Sequence, residues 1–379
     1  MSSGHPQLSL SRRQFVASGV GAALAVGIGA APAHARPRTF GSYGSPGHRL
    51  TPRTLYVDAR GAGDHTTVQA AVSAAAGDGY ILVLAPGVYR ETVSVPATAT
   101  GMTWIGAARD PRRTVVVYDN AAGTPKPDGS GTYGTTGSAT VTLRPDGFTA
   151  RGLTFANDWL RADHPEITGT QAVALKVMGD RSAFFDCRFL GHQDTLYADS
   201  PALATLARQY FRDCYVEGDV DFVFGRGTAV FDDCHFRTLT RTDLAGAPYG
   251  FVFAPSTAGA NPRGFLVTRS RITSTAPAAY YKLARPWVPS SDTTARPMLV
   301  VRDTRMSSGI DAVAPYTNMS DAYPWQGQRF AEYRNSGAGA VVSVAANRPQ
   351  LSPAEAAAHT PGIYLGDWRP AFRLRSGGG

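Results

Sequence analysis

Short apolar segments recur along most of the chain at intervals of roughly 20–30 residues, and turns rich in Gly, Asp and Asn separate them. Strands, turns and a repeat of this period, without helices between them, predict a parallel β-helix, in which each coil buries its apolar face against its neighbours. The alternative is a β-sandwich, but this fold would need antiparallel hairpins with two-residue Asn-Gly or Asp-Gly turns, which are scarce here. The predicted strands include Leu55–Val57, Tyr80–Leu84, Glu91–Val95, Thr103–Ile105, Thr114–Tyr118, Ala139–Leu143, Phe148–Phe155, Ala172–Val177, Ala183–Phe189, Tyr210–Val216, Asp221–Phe224, Val230–Phe236, Gly264–Ile272 and Met298–Val301.

One short frame is repeated within these segments: an apolar residue, any residue, Asp, Cys, any residue and a second apolar residue. It occupies Phe184–Phe189, Phe211–Val216 and Phe231–Phe236, and Val267–Ile272 repeats it with Arg and Ser in place of Asp and Cys. A looser copy places Gly152 at the Cys position. Because the copies share one phase, we expect equivalent residues to stack in neighbouring coils.

The three cysteines, Cys187, Cys214 and Cys234, all occupy the same position of this frame. We expect them to be small buried residues that point into the core. The sequence leaves open whether Cys187 and Cys214 form a disulfide, because disulfides persist in exported proteins. Metal binding is not expected, because no His or Cys pairs stand at ligand spacing.

Helices are predicted only near the two ends of the repeat region. Thr66–Gln69 reads as a capping box that begins a helix reaching about Ala76, and Gly77 ends it. One amphipathic helix before a solenoid would cover the open end of its core. Ser352–Glu355 is a second capping box and predicts a short C-terminal helix.

The N-terminus has the pattern of a targeting segment rather than of a folded domain. Arg12 and Arg13 precede a run of Ala, Gly and Val that ends in a small-x-small cleavage pattern, which is typical of twin-arginine export. An ordinary N-terminal helix is the alternative. The predicted organisation is an export signal (1–35), a flexible arm (36–52), one β-helix domain (53–372) and a disordered tail (373–379).

Composition and charge narrow the class of partner. The chain has 379 residues, of which 43% are hydrophobic, enough for a large core, and only 17% are charged. Removing residues 1–35 takes away two arginines and no acidic residue, which lowers the net charge from +8 to +6. There is no dense Lys/Arg run, so nucleic acid is not expected, and an extracellular anionic polysaccharide suits the charge and the export signal better. After signal removal no apolar run is long enough to span a membrane.

Two acidic residues follow the repeat in equal phase. Asp194 and Asp221 each lie seven residues after a frame cysteine, Cys187 and Cys214. Equal phase in neighbouring coils would place the two carboxyl groups about 5 Å apart. At that distance one tends to hold a proton while the other stays charged, as in an acid and nucleophile pair. Capping of a turn is the ordinary role of a single Asp, but it does not explain the shared phase.

Other candidate residues carry side chains that suit this chemistry. Gln193 and Gln171 carry amides that can donate to an oxyanion without ionising, and Arg285 can clamp a carboxylate through two hydrogen bonds. Trp287, Phe224 and Tyr197 are candidates for a surface that stacks on a sugar, with core packing as the alternative. Two insertions, 120–137 and 158–169, interrupt the coils and are expected to wall a binding cleft.

Several ordered motifs together resemble carbohydrate esterase family 8, the pectin methylesterases or pectinesterases. The motifs GHQDTLYA (191–198), GDVDFVFG (218–225) and LARPW (283–287) are similar to the family's signatures. Further segments are similar to the family at QAVAL (171–175), GSATV (137–141), APST (254–257) and FAEYRNSGAGA (330–340). The resemblance covers residues 54 to about 370 and implies an all-β, single-stranded, right-handed parallel β-helix.

The resemblance also implies an activity and a role for each matching residue. The expected activity is hydrolysis of galacturonate methyl esters in pectin, by a secreted monomer that needs no metal or organic cofactor. Asp221 would be the nucleophile, Asp194 the general acid and base, and Gln193 the main oxyanion donor. The other matching positions are Gln171 (oxyanion or substrate), Arg285 (orienting Asp221 and contacting substrate), Trp287 (packing on sugar), and Thr140, Phe224, Ala254 and Met319 (lining subsites).

Two residues depart from the family pattern. Ala284 stands where the family usually has Gly, and its methyl group could crowd the backbone beside Arg285. Asp219 replaces a small or Thr residue and could raise the pKa of Asp221 or reduce affinity for unesterified pectin. Two other functions stay open: a non-catalytic solenoid that binds wall polysaccharide, and a pectate lyase whose acidic pair holds Ca²⁺.

Overall fold

The computed structural model describes Thr51, residues 53–75 and residues 77–372. The predicted export signal (1–35), nearly all of the predicted arm (36–52) and the predicted tail (373–379) lie outside the described residues, as does Ala76. None of the helices in the described ranges is both long and apolar enough to cross a membrane.

Short strands make up most of the described chain. In chain order they are β1 (Thr54–Val57), β2 (Ile81–Leu84), β3 (Gly87–Arg90), β4 (Val93–Val95), β5 (Thr103–Gly106), β6 (Thr114–Tyr118), β7 (Val141–Leu143), β8 (Thr149–Arg151), β9 (Thr154–Asn157), β10 (Leu175–Val177), β11 (Ser182–Phe185), β12 (Arg188–Leu190), β13 (Leu196–Ala198), β14 (Arg208–Arg212), β15 (Tyr215–Gly218), β16 (Val223–Gly225), β17 (Thr228–Asp232), β18 (His235–Thr238), β19 (Gly250–Pro255), β20 (Phe265–Thr268), β21 (Arg271–Ser274), β22 (Tyr281–Ala284), β23 (Met298–Arg302), β24 (Arg305–Met306) and β25 (Arg329–Tyr333).

These strands form three sheets, and successive coils contribute to each sheet in turn. Sheet A has the order β1-β2-β5-β8-β11-β14-β17-β20-β23-β25, sheet B the order β22-β19-β16-β13-β10-β7-β4, and sheet C the order β24-β21-β18-β15-β12-β9-β6-β3. Strand pairs such as β11–β14 and β12–β15 run parallel and in register. The predicted parallel β-helix is therefore confirmed, and the β-sandwich alternative is wrong.

Aromatic side chains stack along the inside of the coils, which explains why the repeat keeps its phase. Phe184 pairs in register with Phe211, and Phe211 with Phe231. Their rings stack with centroids 4.9 and 4.8 Å apart. All three side chains are fully buried, so each coil supplies apolar surface that only its neighbours can cover.

The corner between sheets A and C explains the Asp of the repeated frame. Asp186, Asp213 and Asp233 all have positive φ, between 50° and 56°, a conformation that Asp tolerates better than most residues. Gly152, with φ 68°, occupies the same corner, and Leu153 is the next, buried residue. The sequence-based alignment of Gly152 with the cysteines is therefore wrong by one residue, because the glycine meets the backbone requirement of the Asp position.

The cysteines directly follow these corner aspartates and point into the core, as predicted. Cys187, Cys214 and Cys234 are buried and free, so the disulfide that the sequence left open is not formed. The Sγ of Cys214 lies 3.5 Å from the Phe184 carbonyl oxygen of the previous coil. The cysteines act here as small core residues with weak donors.

A short helix covers the N-terminal end of the core, whereas the last helix packs on the outer face of sheet A. Helix α1 (Val68–Ala74) buries Val68, Ala71 and Val72 against the core. Its N-cap is Thr67 rather than the predicted Thr66, and the Glu91 carboxylate accepts hydrogen bonds from its first two amides. The remaining helices are α2 (Gly134–Gly137), α3 (Pro353–Ala356), which begins at the predicted capping box, and α4 (Pro361–Leu365), with 3₁₀ turns at Pro111–Arg113, Arg161–Asp163, Trp325–Gly327, Ala338–Ala340 and Ala345–Asn347.

Candidate active site

Asp194 and Asp221 lie at equivalent places of two neighbouring coils, in the turns that lead into sheet B. The following strands β13 and β16 pair Leu196 with Val223, so the same register brings Asp194 opposite Asp221. The Asp194 amide donates to the Val220 carbonyl at 3.0 Å. Both acids have positive φ, 65° and 49°, which turns each side chain out of the strand direction. The predicted juxtaposition is thus present.

Arg285, which directly follows β22, holds Asp221. Its Nε donates to Asp221 Oδ1 at 2.9 Å and its Nη2 to Oδ2 at 2.6 Å, a two-pronged charge-assisted pair. The guanidinium carbon lies 3.9 Å from the centroid of the Phe251 ring, which fixes the plane of the fork. Asp221 is 5% exposed, so the clamp orients a carboxylate that has only a small face free.

The two acids differ in their electrostatic environment. Burial raises the pKa of Asp194 well above its usual range, and the Asp221 charge adds to the rise, while Arg285 opposes it. Burial also raises the pKa of Asp221, but the hydrogen bonds and charge of Arg285 oppose that rise directly. The hydrogen bonds from Arg285 therefore favour the charged form of Asp221 over that of Asp194.

An amide donor is held beside this pair. Thr170 donates its hydroxyl hydrogen to Gln193 Oε1 at 2.6 Å. This bond engages the amide oxygen of Gln193, whose side chain lines the same cleft as the two acids. Gln171 lines the same cleft, and its carbonyl accepts from the Ala122 amide at 2.7 Å.

The acids open into a cleft of about 470 Å³. Tyr197 and Phe224 stack with centroids 4.1 Å apart, and Trp287 lies 5.8 Å from Phe224, so the three predicted aromatics form one wall. Predicted residues that line the cleft are Gln171, Gln193, Asp194, Tyr197, Asp221, Phe224, Ala254, Arg285, Trp287 and Met319. All but one of the residues expected from the sequence are therefore brought together.

Thr140 is the exception. Its side chain is fully buried, and its hydroxyl donates to the Ala156 carbonyl at 2.8 Å, so it lies outside the cleft lining. Ala284, the departure next to Arg285, is also fully buried, and its methyl group packs in the core. The expected crowding of the backbone is not seen, since the Arg285 fork is formed in full.

Several lining residues were not singled out from the sequence. Tyr133, Gly134, Thr135 and Thr136 come from the first insertion, for which the sequence predicted only a wall. The second insertion contributes no lining residue there; its residues 166–169 line a neighbouring cleft of about 590 Å³ together with the first insertion. No motif marks these side chains, so only the insertion itself was a signal.

Asp219, the second departure, does not face the cleft. Its carboxylate is 1% exposed and accepts two hydrogen bonds from Arg161, at 2.7 and 2.8 Å. His192 Nδ1 lies 3.1 Å from the same carboxylate. These partners lower the pKa of Asp219 despite its burial. A direct effect of Asp219 on unesterified pectin is therefore not expected, whereas its charge does raise the pKa of Asp221.

The family profile that matches this chain, and two of its relatives, are those of pectinesterases. The pectinesterase family profile matches residues 54–367. A pectinesterase from Ralstonia solanacearum is 36% identical over 318 residues, covering 75% of this chain and 79% of that protein. Pectinesterase A from Dickeya chrysanthemi is 36% identical over 336 residues, covering 81% of this chain and 88% of that protein.

Solved structures agree. A pectin methylesterase mutant in complex with a hexasaccharide superposes with a TM-score of 0.75 at 32% identity, covering 85% of this chain and all of that one. The pectin methylesterase from carrot gives 0.68 at 30% identity, covering 82% and 92%. With the fold and the cleft described above, this chain belongs to the pectinesterase family and is an ester hydrolase whose substrate is pectin.

Proposed function

We propose that Asp221 is the nucleophile and Asp194 the general acid and base in hydrolysis of methyl-esterified galacturonate. The observation that carries the proposal is the asymmetry of the pair. Arg285 donates two hydrogen bonds to Asp221, whereas burial and a neighbouring negative charge raise the pKa of Asp194. One carboxylate is thus ready to attack while the other holds a proton, side by side in one cleft.

In the first half-reaction an Asp221 oxygen attacks the ester carbonyl carbon. The carbonyl oxygen becomes an oxyanion and accepts hydrogen bonds from the amides of Gln193 and Gln171. As the carbon–methoxy bond breaks, Asp194 gives its proton to the departing oxygen, and methanol leaves. An anhydride between Asp221 and the sugar carboxyl remains.

In the second half-reaction Asp194 is the base. It takes a proton from water, whose oxygen attacks the sugar carbonyl of the anhydride. The bond to the Asp221 oxygen breaks, which releases the galacturonate carboxyl group and restores both aspartates to their starting states. The chain's own residues move every proton in this scheme.

Substrate binding is assigned to the aromatic wall and the first insertion. Trp287 is the more exposed member of the wall, while Tyr197 and Phe224 support it from below, each 3% exposed. Met319, 36% exposed, lies on the rim of the same cleft. We assign the sugar ring to the face of Trp287, because aromatic faces stack on apolar sugar faces with little loss of conformational freedom.

The proposal is tested by methanol release from highly methylated pectin. The Asp221→Ala variant should lose all but a few per cent of kcat, and retained activity would refute the nucleophile assignment. A non-catalytic binder would pellet with pectin but release no methanol. A lyase would instead produce unsaturated ends that absorb in the ultraviolet, and it would stop when Ca²⁺ is chelated.

We also assign this enzyme to the cell exterior, exported by the twin-arginine route and acting as a monomer. The Arg12-Arg13 pair and the cleavage pattern before residue 36 support export, and the acid pair, its arginine clamp and both amide donors are supplied by one copy of the chain. Replacing both arginines by Lys should leave precursor inside the cell. Light scattering of the mature protein should give the mass of one chain, and a dimer mass would refute the second assignment.

A further inference from the structure

A buried ion network joins the two acid-bearing turns behind the cleft. The Asp219 carboxylate accepts hydrogen bonds from Arg161 Nη1 and Nη2 and from the Val220 amide, the last at 2.7 Å. His192 Nδ1 approaches Asp219 Oδ2 at 3.1 Å. Such a fully engaged buried carboxylate is a fixed charge rather than a flexible one.

The position of the network within the repeat is the second observation. Asp219 stands two residues before Asp221, and His192 two residues before Asp194. The Asp219 amide also donates to the His192 carbonyl at 3.0 Å. One carboxylate therefore ties together the starts of both turns whose aspartates have positive φ.

Arg161 brings the third element into contact. It begins the 3₁₀ turn Arg161–Asp163 of the second insertion and is separated from Asp219 by 58 positions. Its side chain is only 19% exposed. The insertion that lines no part of the catalytic cleft thus contacts, through Arg161, the buried carboxylate behind the acid-bearing turns.

We infer that Arg161 and Asp219, bridged by His192 to the other turn, are positioning residues that hold the acid pair in place and set the local field in which its proton is exchanged. The inference rests on the proposed roles of Asp194 and Asp221. Asp219 and Arg161 carry opposite charges, so each offsets the effect of the other on the pair.

The electrostatics around the pair support the same assignment. Beyond burial and the Asp221 charge, Asp219 raises the pKa of Asp194, whereas Arg285 and Arg161 lower it. The charged and titratable groups that face the acid pair or the Asp219 carboxylate from the packed elements are Arg161, His192, Asp219, Arg241, Tyr281 and Arg285. Removing one partner of the network should therefore move the titration of the pair in a direction fixed by the charge removed.

The experiment compares Asp219→Asn, Arg161→Gln and the double variant through the pH dependence of kcat for methanol release. Asp219→Asn should shift both limbs of the profile to lower pH, and Arg161→Gln should shift both to higher pH. Each shift should be about one pH unit, which is the size expected for a unit charge on the order of 10 Å away at an effective dielectric constant of about 20. The double variant should lie close to the native profile.

Two controls separate this field from a loss of structure. Arg90→Gln removes another arginine that pairs with the same insertion, through Asp158. It should leave both limbs in place. Arg161→Lys keeps the positive charge but loses the two-pronged hydrogen bonding, so both limbs should stay in place even if the thermal midpoint falls. If Asp219→Asn does not fold, the comparison of Arg161→Gln with Arg161→Lys carries the test.

The outcomes separate this inference from the proposed function. If the native enzyme releases no methanol, the proposed function fails and no profile exists. If the native profile has two limbs but both single variants leave them unmoved, or move them in the same direction, the network is a structural support only and the inference is overturned.

Discussion

Thr170→Val tests how the oxyanion donor is oriented. The substitution keeps the shape of the side chain but removes the hydroxyl that donates to Gln193 Oε1 at 2.6 Å. The amide can then rotate about its broad terminal torsion and place its oxygen toward the developing oxyanion. A neutral hydrogen bond contributes about 0.5–1.5 kcal/mol net, which corresponds to a fall in kcat of about 2- to 12-fold.

The expected loss is much smaller than for Gln193→Ala, which removes the donor itself and should cost about 100- to 1,000-fold in kcat. KM should change little in Thr170→Val, because the oxyanion exists only in the transition state. Initial rates of methanol release at a fixed pH near the optimum measure both constants.

Thr170→Ser is the matched control, since it restores the hydroxyl without the methyl group. It should recover most of kcat. The reasoning is refuted if Thr170→Val keeps the native kcat, or if the Ser variant is as slow as the Val variant, since the methyl group rather than the hydrogen bond would then matter.

Three further predictions concern the core, the clamp and the cap. Phe211→Ala should lower the free energy of unfolding, measured in urea, by about 3–5 kcal/mol, because it opens a cavity in the aromatic stack. As a control, Val341→Ala on the exposed surface should change the free energy of unfolding by less than about 0.5 kcal/mol. Arg285→Gln should move the acid limb of kcat to higher pH. Asp221 must be ionised to attack, and the substitution removes the cation that opposes the rise of the Asp221 pKa caused by burial. An acid limb that does not move would contradict the role of Arg285 as a clamp. Glu91→Ala should lower the free energy of unfolding by about 1 kcal/mol, since the first two amides of α1 lose their acceptor, and an unchanged urea midpoint would show that water replaces it.

Local repetition made the fold and the acid pair predictable. The frame at Phe184–Phe189 and its copies carries its own register, so the offset from each cysteine sufficed to place Asp194 opposite Asp221. The same logic misplaced Gly152, because composition alone does not tell a corner residue from the buried residue after it. Backbone φ settles that choice, and aligning Gly152 with the aspartates, which tolerate the same positive φ, would have placed it correctly.

Contacts made by the insertions were beyond sequence reasoning. Arg161 and Asp219 are 58 positions apart, and no periodicity relates an insertion to the coil it packs against. The position of Thr140 outside the cleft lining has a related explanation. Its motif matches the family, but a motif does not tell whether a short side chain faces the cleft. Here the Thr140 hydroxyl donates to the buried Ala156 carbonyl instead.

The backbone of the solenoid itself accounts for the abundance of aspartates in rows. A corner that needs positive φ selects Gly, Asn or Asp, and the corner between sheets A and C uses Asp186, Asp213 and Asp233 in succession. Those three carboxylates are exposed. Asp194 and Asp221 meet the same backbone requirement in the turns before sheet B, but there burial penalises the charge of both. The charge of Arg285 opposes this penalty at both acids, but its hydrogen bonds go to Asp221. What distinguishes the proposed catalytic pair from an ordinary corner is thus desolvation together with a cation that is hydrogen-bonded to only one of the two acids. A partly buried arginine fork beside one member of an in-register aspartate pair is therefore a better marker of this chemistry than the pair alone.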